Sequence, residues 1–333
     1  MNNSTESIHL TDAYGRRHNY LRISVTDRCN FRCRYCMPPE GVPPKSRGAI
    51  LSFDEIARFS RIMADSGISK IRLTGGEPLV RKNLPELAAR LSAIPGIETV
   101  GLTTNGTLLK EHLTELKAAG VSRLNISVDS LQPERFRQIT LGGELSRVLE
   151  AIDLALQAGF HPLKINTVIM RHINSDELPG FAEFARQYPL EVRFIEFMPF
   201  RANHWNREVL MTSREMKQEL QKFYELTPLP PEPQSTARRF TIKGFAGTLS
   251  FISPISNHFC SDCNRLRLTA DGRLKNCLFS GDALDIRQLL RDSLPDTEIS
   301  SRIRAALQRK NAAHPGVAVL SRSENQIMTE IGG

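Results

Sequence analysis

The chain has 333 residues, 40% of them hydrophobic and 24% charged, and a formal charge of +8 from 44 Lys and Arg against 36 Asp and Glu. That length suits one large domain or two ordinary ones, and the composition excludes a low-complexity or short-repeat architecture. The positive surplus favours anionic partners. Its dispersal, with only short pairs such as Arg16-Arg17 and Arg238-Arg239, fits a polyanionic small molecule at least as well as nucleic acid.

Residues 1–20 are polar and lack both an apolar core and an Arg-rich amphipathic pattern, which predicts neither a secretory signal, a membrane span nor a mitochondrial presequence. A cytoplasmic protein follows, and in that reducing compartment the six cysteines read as metal ligands or catalytic groups rather than disulfides. Strands are predicted over 21–26, 70–74, 99–104, 123–129, 163–170 and 191–198, nearly continuous apolar runs of the kind buried on both faces of a parallel sheet. Helices lie between them. Ser52-Phe53-Asp54-Glu55 forms a capping box ahead of Ile56, Phe59 and Met63, with Gly67 as the stop, and the helices over 108–119 and 146–158 end at Gly120 and Gly159. Six βα units predict an α/β fold, a barrel-like parallel sheet left open because eight units are needed to close it, with chemistry at the carboxyl ends of its strands.

Beyond residue 198 the texture changes. Thr212-Ser213-Arg214-Glu215 caps a further helix, 227–233 is Pro-rich and reads as a linker, and strands are predicted over 239–242, 248–252, 265–270 and 273–277. The last two flank Asp271-Gly272, a hairpin turn. The chain therefore divides into a partial barrel over 1–210 and a smaller α+β extension over 211–333, packed on the open barrel. Its tail, 321–330, is polar with little helical periodicity, which predicts a mobile segment.

Cys29-x-x-x-Cys33-x-x-Cys36 follows the first strand, and three thiolates in one loop can wrap a corner of a cubane cluster while leaving one iron open. By spacing alone, structural zinc competes with this reading. Thr74-Gly75-Gly76-Glu77-Pro78 follows the second strand, where the glycines permit close backbone approach and Glu77 offers an acceptor. The other cysteines form Cys260-Ser261-Asp262-Cys263 and Cys277, a spacing that favours zinc with His258 as a fourth ligand. Arg265 and Arg267 stand directly beside them on one face of a strand, which suggests a bound anion rather than a solvated surface.

With Tyr35 immediately before Cys36, the first triad and the Gly-Gly-Glu-Pro turn together resemble the radical S-adenosylmethionine superfamily. The similarity sharpens over about 11–333, where the segments 27–38, 71–78, 103–106, 125–131, 164–168, 193–198 and 259–267 and the terminal Gly332-Gly333 resemble, in order, the GTP 3′,8-cyclases of molybdenum cofactor biosynthesis. That resemblance implies an incomplete (α/β)6 barrel whose C-terminal extension carries a second [4Fe–4S] cluster, and a lyase activity. A first [4Fe–4S] cluster on Cys29, Cys33 and Cys36 would cleave S-adenosylmethionine to a 5′-deoxyadenosyl radical. The radical would take the ribose 3′ hydrogen of GTP, and the resulting carbon radical would attack C8 and be reduced to 3′,8-cyclo-7,8-dihydro-GTP. The second cluster, on Cys260, Cys263 and Cys277, would face the guanine with its open iron.

Carried over by motif, Tyr35, Gly76, Ser127 and Met198 are S-adenosylmethionine contacts, while Arg22, Arg72, Thr103, Lys164 and Arg265-Leu266-Arg267 are GTP contacts. Arg265, Arg267, Gly332 and Gly333 are the catalytic set, the tail reaching in to help position a basic residue. The charge pattern agrees in part, since Arg22, Arg72 and Lys164 interrupt apolar strands where an unpaired charge is costly. Lys70 and Arg193 are weaker candidates for the same pocket. The implied partners are a cyclic pyranopterin monophosphate synthase downstream and a low-potential electron donor, with no nucleic acid or membrane, for a monomer or homodimer. Two other readings stand beside this one. A peptide-modifying radical enzyme normally carries more C-terminal cysteines, and a zinc-stabilised nucleic-acid-binding protein leaves the first triad unexplained. Relatives often place an aromatic residue before the Gly pair, where this chain has Met328-Thr329-Glu330-Ile331, and 199–206 follows a subgroup pattern.

Overall fold

The computed structural model describes residues 9–322 and 326–332. Six parallel strands, β1 (Tyr20–Ser24), β2 (Lys70–Thr74), β3 (Thr99–Thr104), β4 (Val121–Ser127), β5 (Leu163–Ile169) and β6 (Leu190–Glu196), lie side by side in chain order. Their inward and outward residues are both largely buried, as the continuous apolar runs require. Helices α1 (Phe53–Asp65), α2 (Leu84–Ser92), α3 (Leu109–Ala118), α4 (Pro133–Thr140), α5 (Leu145–Gln157) and α6 (Leu178–Gln187) occupy the crossovers. The predicted capping box is present: Ser52 Oγ accepts from Glu55 N at 3.1 Å while Glu55 Oε2 accepts from Ser52 N at 2.6 Å. Gly120 and Gly159 stop their helices at φ of +84° and +77°, a backbone state that glycine enters without strain.

The extension begins with α7 (Ser213–Gln221), capped through Thr212 and Glu215, and adds β7 (Thr227–Pro228), β8 (Ala237–Thr241), β9 (Thr248–Ile252), β10 (Arg265–Leu268), β11 (Arg273–Lys275) and β12 (Leu284–Asp285). These strands continue the barrel sheet rather than forming a separate one. β10 pairs in parallel with β1 and β9 in parallel with β6, so the described residues form one sheet in the order β12-β11-β10-β1-β2-β3-β4-β5-β6-β9-β8-β7. The barrel stays open and both of its edges are covered from 211 onward. Part of the predicted linker is structured, since Thr227–Pro228 forms an edge strand on β8, a place where Pro is tolerated.

The expectation of a mobile tail is overturned for its last part. Met328–Ile331 is a helical turn, with Ile327, Thr329 and Ile331 buried. Ile327 and Ile331 are four residues apart and so share one face of the turn, which gives this short polar segment an apolar anchor. At the other end, Arg16 ties the N-terminal segment to the extension. Its guanidinium donates to Asp12 at 2.6 Å, to the carbonyls of Cys260 and Ala312 at 2.7 Å each, and to that of Asn311 at 2.8 Å. No helix among the described residues is long and apolar enough to cross a membrane.

Candidate active site

The carboxyl ends of β1 to β6 and the loops of the extension enclose a cavity of about 300 Å³, and all six cysteines line it. All six are free thiols. The first triad sits on the loop after β1, which is pinned from outside. Phe31 is buried edge-on against Phe136 with ring centres 6.0 Å apart, and the amides of Arg32 and Arg34 donate to the carbonyls of Thr140 and Ile139 at the end of α4. A turn follows, in which Cys36 N donates to Cys33 O at 2.8 Å. On its inner side the loop rests on Gly75 and Gly76: Gly76 N donates to Thr26 O and Glu77 N to Arg28 O, both at 2.8 Å. A Cβ on Gly76 would lie 2.3 Å from the Arg28 carbonyl oxygen, so this glycine serves close packing of two backbones. Glu77 is buried beneath, accepting from Leu79 N at 3.0 Å, Thr104 Oγ1 at 2.7 Å and Asn105 N at 2.7 Å. Burial outweighs those donors and pushes its carboxyl up to about 7.

The two triads differ in their electrostatic surroundings. Burial raises the Cys29 thiol to about 11 and those of Cys33 and Cys36 well above the usual thiol range, with Glu77 acting on Cys29 and Asp129 on Cys33 and Cys36 in the same sense. Tyr35 O–H donates to Asp129 Oδ2 at 2.8 Å, and Asp129 is itself raised to about 6 by burial. Cys260 and Cys263 bracket a short turn, and Cys277 follows β11, brought opposite by the Asp271-Gly272 hairpin. Burial also raises Cys263, but Arg265 and Lys310 outweigh it and bring the thiol down to about 7. Arg265 lies over the Phe259 ring at 4.6 Å.

Between the triads runs a row of like charge. Strand register sets Arg267 beside Arg22 and Arg22 beside Arg72. Burial lowers Arg22 to about 10 and Arg267 well below the usual range, Arg72 and Arg265 adding to the first, Arg22 and Arg265 to the second. Like charges at adjacent positions of a sheet destabilise it unless an anion lies among them. Nearby, the buried oxygens Thr103 Oγ1, Asn125 Oδ1 and Asn166 Oδ1 have no hydrogen-bond partner among the described residues, and all three side chains line the cavity. The donor set fits the groups implied for it: two sets of three thiols, orphaned oxygens, and a guanidinium row suited to a phosphate chain. Among the described residues no three His, Cys, Asp or Glu side chains are grouped to hold a single metal ion.

Tyr35, Gly76, Ser127 and Met198 line this cavity, as do Arg22, Thr103, Arg265 and Arg267. Arg72, Lys164 and Leu266 are not on its lining. Leu266 is buried on the opposite face of β10, and Lys164 Nζ lies 3.4 Å from Glu191 Oε2, while Glu191 also holds Arg193, which does line the cavity. Arg72 donates through Nε to Tyr20 Oη at 2.6 Å and through Nη1 to Leu102 O at 2.9 Å. It passes over Gly101, where a Cβ would stand 2.8 Å from Arg72 Nη2. Gly101→Ala is therefore expected to displace Arg72 from Tyr20 at a cost of about 1–3 kcal/mol in urea unfolding, and that cost should vanish in an Arg72→Leu background. Sequence reasoning passed over Asn125, Asn166, Asp129 and Lys310 as individual residues. The Asn and Asp side chains sit in motifs already singled out, whereas nothing local marks Lys310.

The tail enters the same site. Gly332 O accepts from Arg267 Nη1 at 3.1 Å, and a Cβ there would meet Ser24 Cβ at 2.7 Å and Thr74 Oγ1 at 2.9 Å. Arg201 reaches Glu330 at 3.2 Å. Gly333 lies outside the described residues.

Comparison with known proteins gives matches along most of the chain. The family described as Radical SAM superfamily matches residues 23–185, and the one described as Molybdenum Cofactor Synthesis C matches 190–315. The chain is 46% identical to the GTP 3′,8-cyclase of Syntrophomonas wolfei over 326 residues, 97% of this chain and 100% of that one. It is 45% identical to human Molybdenum cofactor biosynthesis protein 1 over 97% of this chain but 51% of the human one, so it spans about half the length of that relative. Among solved structures, Streptococcus suis SuiB bound to precursor peptide SuiA shares the fold with a TM-score of 0.59 at 13% identity, covering 85% of this chain and 67% of that one.

Proposed function

Because this chain belongs to the GTP 3′,8-cyclase family within the radical S-adenosylmethionine superfamily, we propose that its cysteine-lined cavity joins an S-adenosylmethionine site to a GTP site. In this reading Cys29, Cys33 and Cys36 hold one [4Fe–4S] cluster, and Cys260, Cys263 and Cys277 hold another. Together with S-adenosylmethionine, the bound groups supply the one-electron chemistry that opens the ribose 3′ position of GTP to attack on guanine C8. The observation that carries the reading is the opening of both triads onto one cavity with Arg22, Arg265 and Arg267 at its wall.

The chain's own residues bind and orient. Tyr35, Gly76, Ser127 and Met198 form the S-adenosylmethionine side, and Asp129 holds Tyr35 in place. Arg22, Arg265 and Arg267 gather the triphosphate, with Thr103 as a polar contact; Arg72 and Lys164 add charge from behind the wall. The part over 1–210 performs cleavage, while 211–333 supplies the second cluster and the tail. The product is taken by a cyclic pyranopterin monophosphate synthase, a low-potential donor provides electrons, and the cytoplasm provides the reducing conditions that thiolate ligands require. The peptide-modifying and zinc-based nucleic-acid readings lose their support to the family match along 97% of the chain.

Anaerobic reconstitution followed by turnover tests the reading: iron and sulfide for two cubanes per chain, and 5′-deoxyadenosine formed with cyclised nucleotide from GTP. Stoichiometric zinc at the second triad with no nucleotide product would overturn it. Arg265→Ala and Arg267→Ala are each expected to weaken GTP binding by roughly 1.5–3 kcal/mol, or tenfold to a hundredfold, with both clusters retained. Unchanged GTP titrations would return these side chains to a structural role.

A further inference from the structure

Lys310 follows the helix Asp296–Gln308 and is 5% exposed, a level of burial that an ammonium rarely tolerates without a partner. Its Nζ lies 3.5 Å from Cys263 Sγ and 3.2 Å from the Arg265 carbonyl oxygen. The charged groups that act on it are the Cys263 and Cys277 thiols and Arg16. It does not line the cavity, whereas Arg265, which also reaches Cys263 Sγ at 3.8 Å, is on the wall. The Arg16 bonds to the carbonyls of Asn311, Ala312 and Cys260 clamp the backbone on either side of this contact. The first triad is built otherwise. Phe31 N donates to Cys29 Sγ at 3.4 Å, Asp129 acts on Cys33 and Cys36, and Glu77 acts on Cys29. The Arg32 guanidinium is the cation on that side, donating to the Cys29 carbonyl rather than to a sulfur, whereas at the second site a buried ammonium reaches a sulfur directly.

We propose that Lys310 is a positioning residue for the second iron–sulfur site, donating to the Cys263 sulfur and holding that site at a higher reduction potential than the first. Reduction of a thiolate-bound cluster places added negative charge on its sulfurs, and a fixed cation hydrogen-bonded to one of them stabilises the reduced form. The electron delivered to S-adenosylmethionine must leave a strongly reducing centre. An acidic first site and a cation-braced second site keep the two centres apart in potential within one cavity.

This inference rests on the reading of Cys260, Cys263 and Cys277 as cluster ligands, and the test separates the two. Wild-type iron, sulfide and zinc contents address the ligand assignment; zinc at the second triad overturns both it and the proposal. Redox titration followed by electron paramagnetic resonance, on chains carrying both clusters, addresses Lys310. Lys310→Met should lower the one-electron reduction constant of the second cluster at least tenfold, about 59 mV, with the first cluster unmoved. Lys310→Arg should stay close to wild type, a rescue that a purely structural role does not predict. If Lys310→Met fails to hold its second cluster, Lys310→Gln takes its place against Lys310→Arg. A second-cluster potential equal to wild type in the uncharged variant, or an equal shift in the charged and uncharged variants, overturns the proposal.

Discussion

Cys33→Ala is expected to abolish S-adenosylmethionine cleavage, whereas Cys263→Ala keeps a measurable part of it and yields no cyclised GTP. The reason lies in how independently the triads are supported. Cys29, Cys33 and Cys36 are carried on a loop anchored by Phe31 against Phe136 and by the backbone of Gly76 and Glu77, contacts made within the first part of the chain. Cys263 belongs to a turn held by the extension, and its loss leaves those contacts untouched. Removing one of three thiolates leaves a cluster too few ligands at a site whose remaining thiols are buried and hard to ionise. Cleavage is measured as 5′-deoxyadenosine formed under excess reductant, and cyclisation as nucleotide product from the same reactions. Normal cyclisation by Cys263→Ala would show that the second triad has no part in the reaction.

Deleting Gly332 and Gly333 is expected to leave both clusters and S-adenosylmethionine binding nearly intact while removing GTP cyclisation. Gly332 O holds Arg267 Nη1, and the helical turn before it is anchored by Ile327 and Ile331, so Gly332 has a fixed place in the site. Without it, Arg267 loses its only fixed acceptor among the hydrogen bonds of the described residues and is left to the repulsion of Arg22 and Arg265. Gly332→Ala should act in the same direction, because its φ of +84° and the nearness of Ser24 and Thr74 leave no room for a methyl group. Anaerobic turnover at matched iron content decides the matter: equal product from truncated and full-length chains would reduce the tail to a packing element.

How much of this was legible depended on range. β2 and β3 match their predicted limits, since their β-branched runs end at polar turns, and the two capping boxes are local patterns that the backbone obeys. The cysteines were visible as two groups of three, but their spacing alone did not choose between zinc and iron–sulfur, and that all six line one cavity is a property of the fold. What escaped was lateral placement. Alternation and apolarity say that 248–252 and 265–270 are strands but not that they flank β6 and β1, since the pairing groups are backbone amides common to every residue. The side chain of Arg72 was expected in the pocket, but Tyr20, Leu102 and the bare Cα of Gly101 hold it behind the wall. Lys310 is one basic residue among 44, and only the fold brings it to Cys263.

The way the extension closes the sheet also bears on how the chain is made. β1 waits for β10, and the side chains of Asn19 and Asn264 that join beside them are 245 residues apart in sequence. β6 waits for β9. A ribosome that has finished all six barrel strands has produced a parallel sheet with two bare edges, each a row of unpaired amides and carbonyls open to any other strand. Those edges are sealed only after β9 and β10 have been made, so the most aggregation-prone stage in the making of this chain is the one at which the six barrel strands exist without them.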